Sequence, residues 1–124
     1  MPDESELFIG VNRPQNMNDL TDLEKKHLPV ITAPESVKAN EPFEVTVEVG
    51  KLLAHPNEHG HYINFIHLYA GDAFLARLDL IPGRSNPTMK VMVQLDRDLG
   101  PLRAYEFCNL HGTWETDKPL TVKG

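Results

Sequence analysis

The feature that most constrains the fold is the strict alternation of apolar and polar residues from Phe43 to Val49. A period of two is that of a β-strand with one buried face, because successive side chains point to opposite sides of a sheet. Other apolar segments of strand length are separated by proline and glycine residues: Val30 to Thr32, Ser36 to Lys38, His61 to Tyr69, Ala73 to Leu80, Met89 to Leu95, Leu102 to Phe107 and Leu120 to Lys123. About seven short strands spaced in this way predict an all-β fold, an immunoglobulin-like antiparallel β-sandwich.

One short helix is predicted before the strands begin. Thr21 and Glu24 have the spacing of a helix capping box, in which each side chain bonds to the backbone amide of the other residue. Pro29 closes the segment soon after His27, because the residue before a proline disfavours helical geometry. One or two helical turns therefore fit here.

Length and charge limit the class of protein. We expect residues 1–124 to form a single domain, since this is close to the usual domain size. Twelve basic and eighteen acidic residues give a net charge of -6, which disfavours nucleic acid and anionic membranes as partners. No apolar run reaches the roughly 20 residues of a membrane span, and the acidic start does not resemble a secretory signal. With a single cysteine and no internal disulfide, these features predict a cytoplasmic protein.

The only cysteine lies in a short motif, Cys108-Asn109-Leu110-His111-Gly112. A thiolate and an imidazole at this spacing can reach one metal ion from a single tight turn. The backbone amides of Asn109 and Leu110 are candidates for hydrogen bonds to the sulfur. The pair alone does not establish a metal site, because an isolated cysteine is more often a small buried apolar residue than a ligand.

Three further histidines, His55, His59 and His61, lie within seven residues that also contain a proline and a glycine. A loop of this kind can place two imidazoles on one ion, or it can be a polar surface loop, and both readings stay open. In the strand that follows, alternation places Ile63, Phe65 and His67 on one face. His67 is therefore predicted to be a packed or hydrogen-bonded strand residue and not a ligand.

Three motifs together resemble one protein family. They are a histidine two residues before a proline, two histidines six residues apart, and Cys-x-x-His-Gly. Over about residues 24–114 the combination is similar to the superoxide reductase family, the neelaredoxin and desulfoferrodoxin group. In that family four equatorial histidines and one axial cysteinate hold one iron ion per chain, as Fe2+ or Fe3+. The resemblance implies the equatorial ligands His27, His55, His61 and His111 and the axial ligand Cys108, and it gives His59 no role beyond the surface.

The N-terminal motif departs from the family pattern. The family has Glu-Lys-His-x-Pro, and this chain reads Glu-Lys-Lys-His-Leu-Pro from Glu24 to Pro29. Lys26 keeps the place of the family's lysine, which helps to attract superoxide, so the resemblance implies a catalytic role; the alternative is a solvated surface charge. Glu24 lies one residue too early for the family's glutamate, which can occupy the sixth iron position after oxidation. It is a second catalytic candidate beside its capping role.

The resemblance implies an oxidoreductase that detoxifies superoxide by one-electron reduction to hydrogen peroxide. Since the chain has no Cys-x-x-Cys module, it is similar to the one-iron members. Ferrous iron with four neutral imidazoles and one thiolate would carry one net positive charge, a local attraction for an anion in an acidic protein. The family also implies rubredoxin as the electron donor and a homotetramer as the assembly.

Two other functions fit the same residues. One is an immunoglobulin-like binding module whose histidines hold a metal for structure alone, and the other is a mononuclear iron electron carrier. A structural metal site is closed by four ligands, whereas a catalytic site keeps an open position. Substrate turnover would separate the enzyme from the carrier.

Overall fold

A computed structural model describes residues 4–124 of the chain. A 3-10 helix (Glu4–Phe8) opens the described part, and one α-helix, α1 (Asp22–His27), follows. The described residues also form ten β-strands: β1 (Val11–Asn12), β2 (Val30–Thr32), β3 (Ser36–Lys38), β4 (Phe43–Glu48), β5 (Ile63–Ala70), β6 (Ala73–Asp79), β7 (Thr88–Val93), β8 (Leu102–Cys108), β9 (Gly112–Lys118) and β10 (Thr121–Lys123). Within residues 4–124, no helix is long and apolar enough to cross a membrane.

The strands form two main sheets that enclose one core. The larger sheet has the order β1-β9-β8-β5-β6, and the smaller sheet has the order β2-β4-β7. Neighbouring strands in both sheets are antiparallel, except that β1 runs parallel to β9. β10 and β3 form a further, parallel pair. The prediction of an all-β, mainly antiparallel sandwich is confirmed, while β1 and β9 lie outside the predicted strands.

The core between the sheets is built mainly from aliphatic side chains. Val45 and Val47 of β4 are fully buried, as the alternation predicts. They share one apolar cluster with side chains of the larger sheet, among them Ile66, Leu68 and Leu102. Burying each such side chain contributes about 1.5–3 kcal/mol, so this cluster is the main source of the free energy that stabilises the sandwich.

A β-bulge in β5 changes which of its side chains point into the core. The register between β5 and β8 shifts between Ile63 and Phe65, which inserts a residue without a partner. Ile63 is therefore buried in the core with Ile66, whereas Phe65 lies on the outer side of the larger sheet. The prediction that Ile63 and Phe65 share a face is wrong, because strict alternation assumes a strand without inserted residues.

The hairpin of β8 and β9 closes tightly. Cys108 pairs with Gly112 across the two strands, and the residues between them form the turn. Gly112 has a φ of 82°, in the left-handed region that favours glycine. A Cβ atom at this position would collide with the carbonyl oxygen of Leu7. Any larger residue would therefore displace the start of the chain from the turn.

Candidate metal centre

The five predicted ligands come from three separate parts of the chain. His27 is the last residue of α1, and His55 and His61 lie in the loop between β4 and β5. Cys108 ends β8, and His111 lies in the turn to β9. The antiparallel pairing of β5 with β8 places the start of one strand beside the end of the other. The structure brings all five side chains together at this end of the sandwich.

The four imidazole rings surround one point. In the cyclic order His27, His55, His61, His111, the centroids of neighbouring rings are 4.7, 4.6, 5.0 and 4.8 Å apart. The rings of His27 and His61, which lie across the square from each other, are 6.4 Å apart. Repulsion between neighbouring imidazoles is a secondary cause, after burial, of the lowered pKa of His27, His55 and His61.

The donor atoms of the cluster lie close enough to bind one ion. Nε2 of His55 lies 3.2 Å from Nε2 of His27 and 3.5 Å from Sγ of Cys108. The donor atoms of these three residues and of His61 are all within 4.8 Å of one another. His111 adjoins the group, with its Nδ1 3.8 Å from the same sulfur. Neighbouring ligands of an octahedral ion with bonds of about 2.1 Å are separated by about 3 Å, so the set fits a metal ion.

Hydrogen bonds on the far side of two rings select the atoms that face the centre. Nδ1 of His27 lies 2.7 Å from the carbonyl oxygen of Leu23, and Nδ1 of His55 lies 2.6 Å from that of Pro56. A carbonyl oxygen can only accept, so both Nδ1 atoms carry the proton and both Nε2 atoms keep a lone pair. Nε2 of His61 is buried and has no hydrogen-bond partner among the described residues. An orphaned buried nitrogen beside these lone pairs is what a bound cation would satisfy.

Burial keeps the imidazoles of His27 and His55 in the neutral form, which is the form that binds a cation. It lowers the pKa of His27 to about 3 and that of His55 to about 4, with smaller contributions from the neighbouring imidazoles. Burial also raises the pKa of the Cys108 thiol to about 11 in the absence of metal. A bound cation would stabilise the thiolate and displace its proton.

Backbone amides partly offset the burial of the Cys108 sulfur. The amides of Leu110 and His111 both donate hydrogen bonds toward the sulfur and lower the thiol pKa. The prediction for Leu110 is confirmed and the one for Asn109 is wrong, because the Asn109 amide donates to the carbonyl oxygen of Tyr62 at 3.2 Å. The Asn109 side chain instead fixes the turn, since its Oδ1 accepts from the Tyr62 amide at 2.8 Å.

Trp114 supports two of the predicted ligands, a role that the sequence analysis missed. Its ring system stacks on the His27 imidazole, with centroids 5.0 Å apart and planes inclined by 22°. Its Nε1–H donates to the carbonyl oxygen of His111 at 3.0 Å. The side chain is only 3% exposed and packs with Leu7 and Leu28 in a second apolar cluster. Its position two residues after the Cys-x-x-His-Gly motif is the signal that could have indicated this contact.

A buried carboxyl group also escaped the sequence analysis. Glu106 precedes Cys108 by two residues on β8, so both side chains lie on the inner face of the strand. Glu106 is completely buried, and neither carboxyl oxygen has a hydrogen-bond partner among the described residues. Burial raises its pKa well above the usual value, which favours the neutral acid beside the sulfur.

The two catalytic candidates on α1 have different surroundings. Lys26 is half-buried, and its positive charge is a minor cause, after burial, of the lowered pKa of His55 and His61. Its ammonium group therefore disfavours protonation of the His55 and His61 imidazoles. The Glu24 carboxylate accepts hydrogen bonds from the backbone amides of Thr21 at 2.9 Å and Gln15 at 3.3 Å. The predicted capping box is confirmed, and both Glu24 oxygens are engaged in it and in the preceding loop.

The remaining histidines of the sequence analysis lie elsewhere. His67 is on β5, where its ring stacks on Phe65 with centroids 4.4 Å apart, so the prediction of a packed strand residue is confirmed. His59 is exposed in the loop before β5. The structure therefore separates His67 from the four clustered imidazoles by placing it on the outer side of the larger sheet.

A β-sandwich with four imidazoles and one thiol around one point has the donor set of a metal-binding protein, and comparison with known proteins specifies its family. The sequence profile of the family named Desulfoferrodoxin matches residues 19–117. A relative from Methanocaldococcus jannaschii is 41% identical over 119 residues, which cover 94% of this chain and 97% of the relative. The neelaredoxin of Megalodesulfovibrio gigas is 32% identical over 117 residues, covering 80% and 89% of the two chains.

A solved structure agrees with these sequence matches. The superoxide reductase (neelaredoxin) from Ignicoccus hospitalis superposes with a TM-score of 0.80 at 36% identity, covering 96% of this chain and 98% of that one. The chain belongs to the superoxide reductase family, the group of neelaredoxins and desulfoferrodoxins. The resemblance inferred from the sequence motifs is thereby confirmed.

Proposed function

We propose that this protein is a superoxide reductase, an oxidoreductase that reduces superoxide by one electron to hydrogen peroxide. The observation that carries this conclusion is the gathering of four imidazoles and one buried thiol at a single point, in a chain of the superoxide reductase family. Five donors exceed the four that close a structural zinc site. The cluster therefore favours a redox site over a purely structural one.

We further propose one iron ion per chain as the cofactor. His27, His55, His61, His111 and Cys108 would hold the ion, all within the single domain of residues 1–124. Iron cycling between Fe2+ and Fe3+ would supply the electron that superoxide accepts. Imidazole and thiolate donors suit iron among the transition metals, and a thiolate ligand donates electron density to it.

The protein's own residues would control access and charge. Cys108 is completely buried, so superoxide would reach the centre from the side of the partly exposed His55, His61 and His111. Lys26 would attract the anion to this side and hold water there. Water would supply the two protons that convert reduced superoxide to hydrogen peroxide. Glu24 stays a weaker catalytic candidate, because its oxygens are used by the cap.

The donor, assembly and location are extensions of the family resemblance. We propose rubredoxin as the electron donor, a homotetramer as the assembly and the cytoplasm as the location. A single cysteine cannot form an internal disulfide, which suits a reducing compartment, and its thiol stays free to bind iron.

Metal analysis, the visible spectrum and superoxide turnover test this function. We expect one iron per chain, a sulfur-to-iron charge-transfer band after oxidation, and rapid consumption of superoxide by the reduced protein. Cys108→Ser should abolish the band and slow superoxide reduction. Colourless zinc-containing protein would instead support the structural site, and iron without superoxide turnover would support the electron carrier.

A further inference from the structure

The loop between β4 and β5 carries two of the predicted ligands and is long for a connection within one domain. It spans residues 49–62 and contains His55 and His61. Loops of this length are uncommon in compact domains, and most are functional or disordered. Ordering such a loop costs conformational entropy at every residue. The contacts that fix this loop therefore determine how readily its two imidazoles bind a metal ion.

The two imidazoles of the loop are held in different ways. Nδ1 of His55 lies 2.6 Å from the carbonyl oxygen of Pro56, and this hydrogen bond fixes the ring directly. Among the described residues, no hydrogen bond holds the ring of His61, whose buried Nε2 has no partner. His61 and Glu58 instead exchange two backbone hydrogen bonds of 3.0 and 3.1 Å, which close a narrow turn. The position of the His61 ring is therefore set through its backbone.

The Asn109 side chain fixes the backbone on both sides of His61. Its Oδ1 accepts from the amide of Tyr62 at 2.8 Å, and its Nδ2 donates to the carbonyl oxygen of Gly60 at 2.9 Å. A backbone N–H can only donate and a carbonyl oxygen can only accept, so these partners define the orientation of the side chain. The Asn109 backbone amide adds a third hydrogen bond, to the carbonyl oxygen of Tyr62 at 3.2 Å. Since Asn109 directly follows Cys108, three hydrogen bonds join the turn after the sulfur to the residues beside His61.

A second asparagine attaches the same loop to a different part of the fold. Oδ1 of Asn57 accepts from the amide of Gly83 at 2.8 Å, and its Nδ2 donates to the carbonyl oxygen of Ser85 at 3.1 Å. Both partners lie in the turn between β6 and β7. That turn is itself closed by two backbone hydrogen bonds of 3.1 Å to the carbonyl oxygen of Ile81. Asn57 lies between the two predicted ligands of the loop, so this part of the loop is tied to the connection between the two main sheets.

We propose that Asn57 and Asn109 are positioning residues, which hold this loop in its metal-binding shape before a metal ion is bound. An asparagine suits this role, because one short side chain presents both a donor and an acceptor, as a peptide group does. Neither residue belongs to the predicted ligands, and each acts through backbone groups. A loop that is already ordered loses less conformational entropy on binding, and this increases affinity. The inference rests on the proposed metal centre and not on the proposed superoxide chemistry.

Metal affinity tests the two roles. Asn57→Ala and Asn109→Ala each remove two side-chain hydrogen bonds that hold the loop. Both side chains are half-buried in loops and not in the core, so the fold should persist. Competition with a coloured chelator should show Co2+ affinity about 10-fold lower for each variant than for wild type. Asn16→Ala is the matched control, because it removes the same group from an exposed position outside this loop, where its Oδ1 accepts from the amide of Asn18. It should leave the affinity unchanged.

Hydrogen exchange shows whether the lower affinity comes from the loop. In the full-length chain without metal, the amides of residues 55–62 should exchange faster in both alanine variants than in wild type, while those of β4 keep the wild-type rate. Bound Co2+ should restore protection of the loop, since its two histidines then hold it through the ion. Asn109→Asp keeps the acceptor for the Tyr62 amide, and its exchange rate should lie between those of wild type and Asn109→Ala.

Several results would overturn the proposal. One is wild-type affinity and exchange in the two alanine variants, and another is an equal loss of affinity in Asn16→Ala. Faster exchange in β4 as well would show a general loosening of the fold. Asn109→Leu fills similar space without a polar atom, so wild-type behaviour of this variant would reduce Asn109 to a packing residue. A wild-type protein that binds no Co2+ would refute the metal centre, whereas unchanged exchange in the alanine variants would refute the positioning roles, so the two failures are distinguishable.

Discussion

At the residue scale, the geometry of the candidate metal centre depends on residues that contact the predicted ligands as much as on the predicted ligands themselves. The carbonyl oxygens of Leu23 and Pro56 fix which nitrogens of His27 and His55 face the centre. Such partners hold a ring in the orientation that binds metal and increase its basicity. Residues outside the ligand set should therefore affect metal affinity, and Trp114 offers the strongest test.

Replacing Trp114 should weaken metal binding. Trp114→Phe keeps an aromatic ring against His27 but loses the hydrogen bond to His111, and Trp114→Ala loses both contacts. We expect Co2+ affinity of the metal-free protein to fall by about 10-fold for the alanine variant and by less for phenylalanine. Phe43→Leu, a change in the main core, is the control and should leave affinity unaltered. Equal affinities for all four proteins would show that Trp114 only fills space.

Lys26 should matter for the rate at which superoxide arrives and not for metal binding. Lys26→Ala removes a positive charge near His55 and His61. Electrostatic steering predicts a second-order rate constant lower by up to about 10-fold and a weaker dependence on ionic strength. Pulse radiolysis or stopped flow would measure both. Lys90→Ala removes the same charge from β7 and should leave the rate unchanged, and an equal effect of the two substitutions would reduce Lys26 to an ordinary surface charge.

At the scale of secondary structure, α1 is short and depends on its cap. Glu24→Ala removes the hydrogen bond to the Thr21 amide, and we expect about 1 kcal/mol lower stability, seen as a melting temperature lower by several degrees. Glu24→Gln retains an acceptor for the capping box and should restore most of this stability. The visible spectrum of the oxidised protein should be the same for both variants and wild type. A spectrum changed by both substitutions would instead make Glu24 a sixth ligand of the metal.

Elements with a clear local sequence pattern could be predicted from the sequence. Elements whose structure depends on tertiary contacts could not. The alternation of β4 and the capping box of α1 are local patterns, and both are confirmed. β9 has no such pattern, because Trp114 and Glu115 are consecutive buried residues, one packing in the second cluster and the other pairing with Arg13. The bulge after Ile63 also depends on the partner strand.

The candidate site followed from sequence because its residues carry distinctive chemistry. A lone cysteine and clustered histidines are recognisable at any separation along the chain, and the family resemblance joined them into one set. The supporting contacts could not be found in this way. Trp114 and Asn109 act through a backbone carbonyl and a backbone amide, and those partners are known only once the chain has folded.

At the scale of the whole molecule, the metal-free site lowers the free energy of unfolding, and this effect increases as the pH falls. Folding holds His27 and His55 neutral, because burial lowers their pKa to about 3 and about 4. In the unfolded chain both imidazoles take up protons near pH 6.5. The unfolded state therefore binds more protons than the folded state below about pH 6.5, and its relative free energy falls. Stability of the metal-free protein should decrease as the pH is lowered from 7 toward 4.

Urea unfolding of the metal-free protein between pH 7.5 and 4.5 would measure this dependence. His27, which is completely buried, should alone contribute a slope approaching about 1.4 kcal/mol per pH unit. His27→Asn removes this proton uptake and should flatten the curve, while His59→Asn, at an exposed position, should leave the curve parallel to that of wild type. Carboxyl groups that titrate near pH 4 contribute equally to all three proteins and cancel in the comparison. If His27→Asn and wild type lose stability in parallel, His27 is protonated in the folded state, and burial does not hold its imidazole neutral.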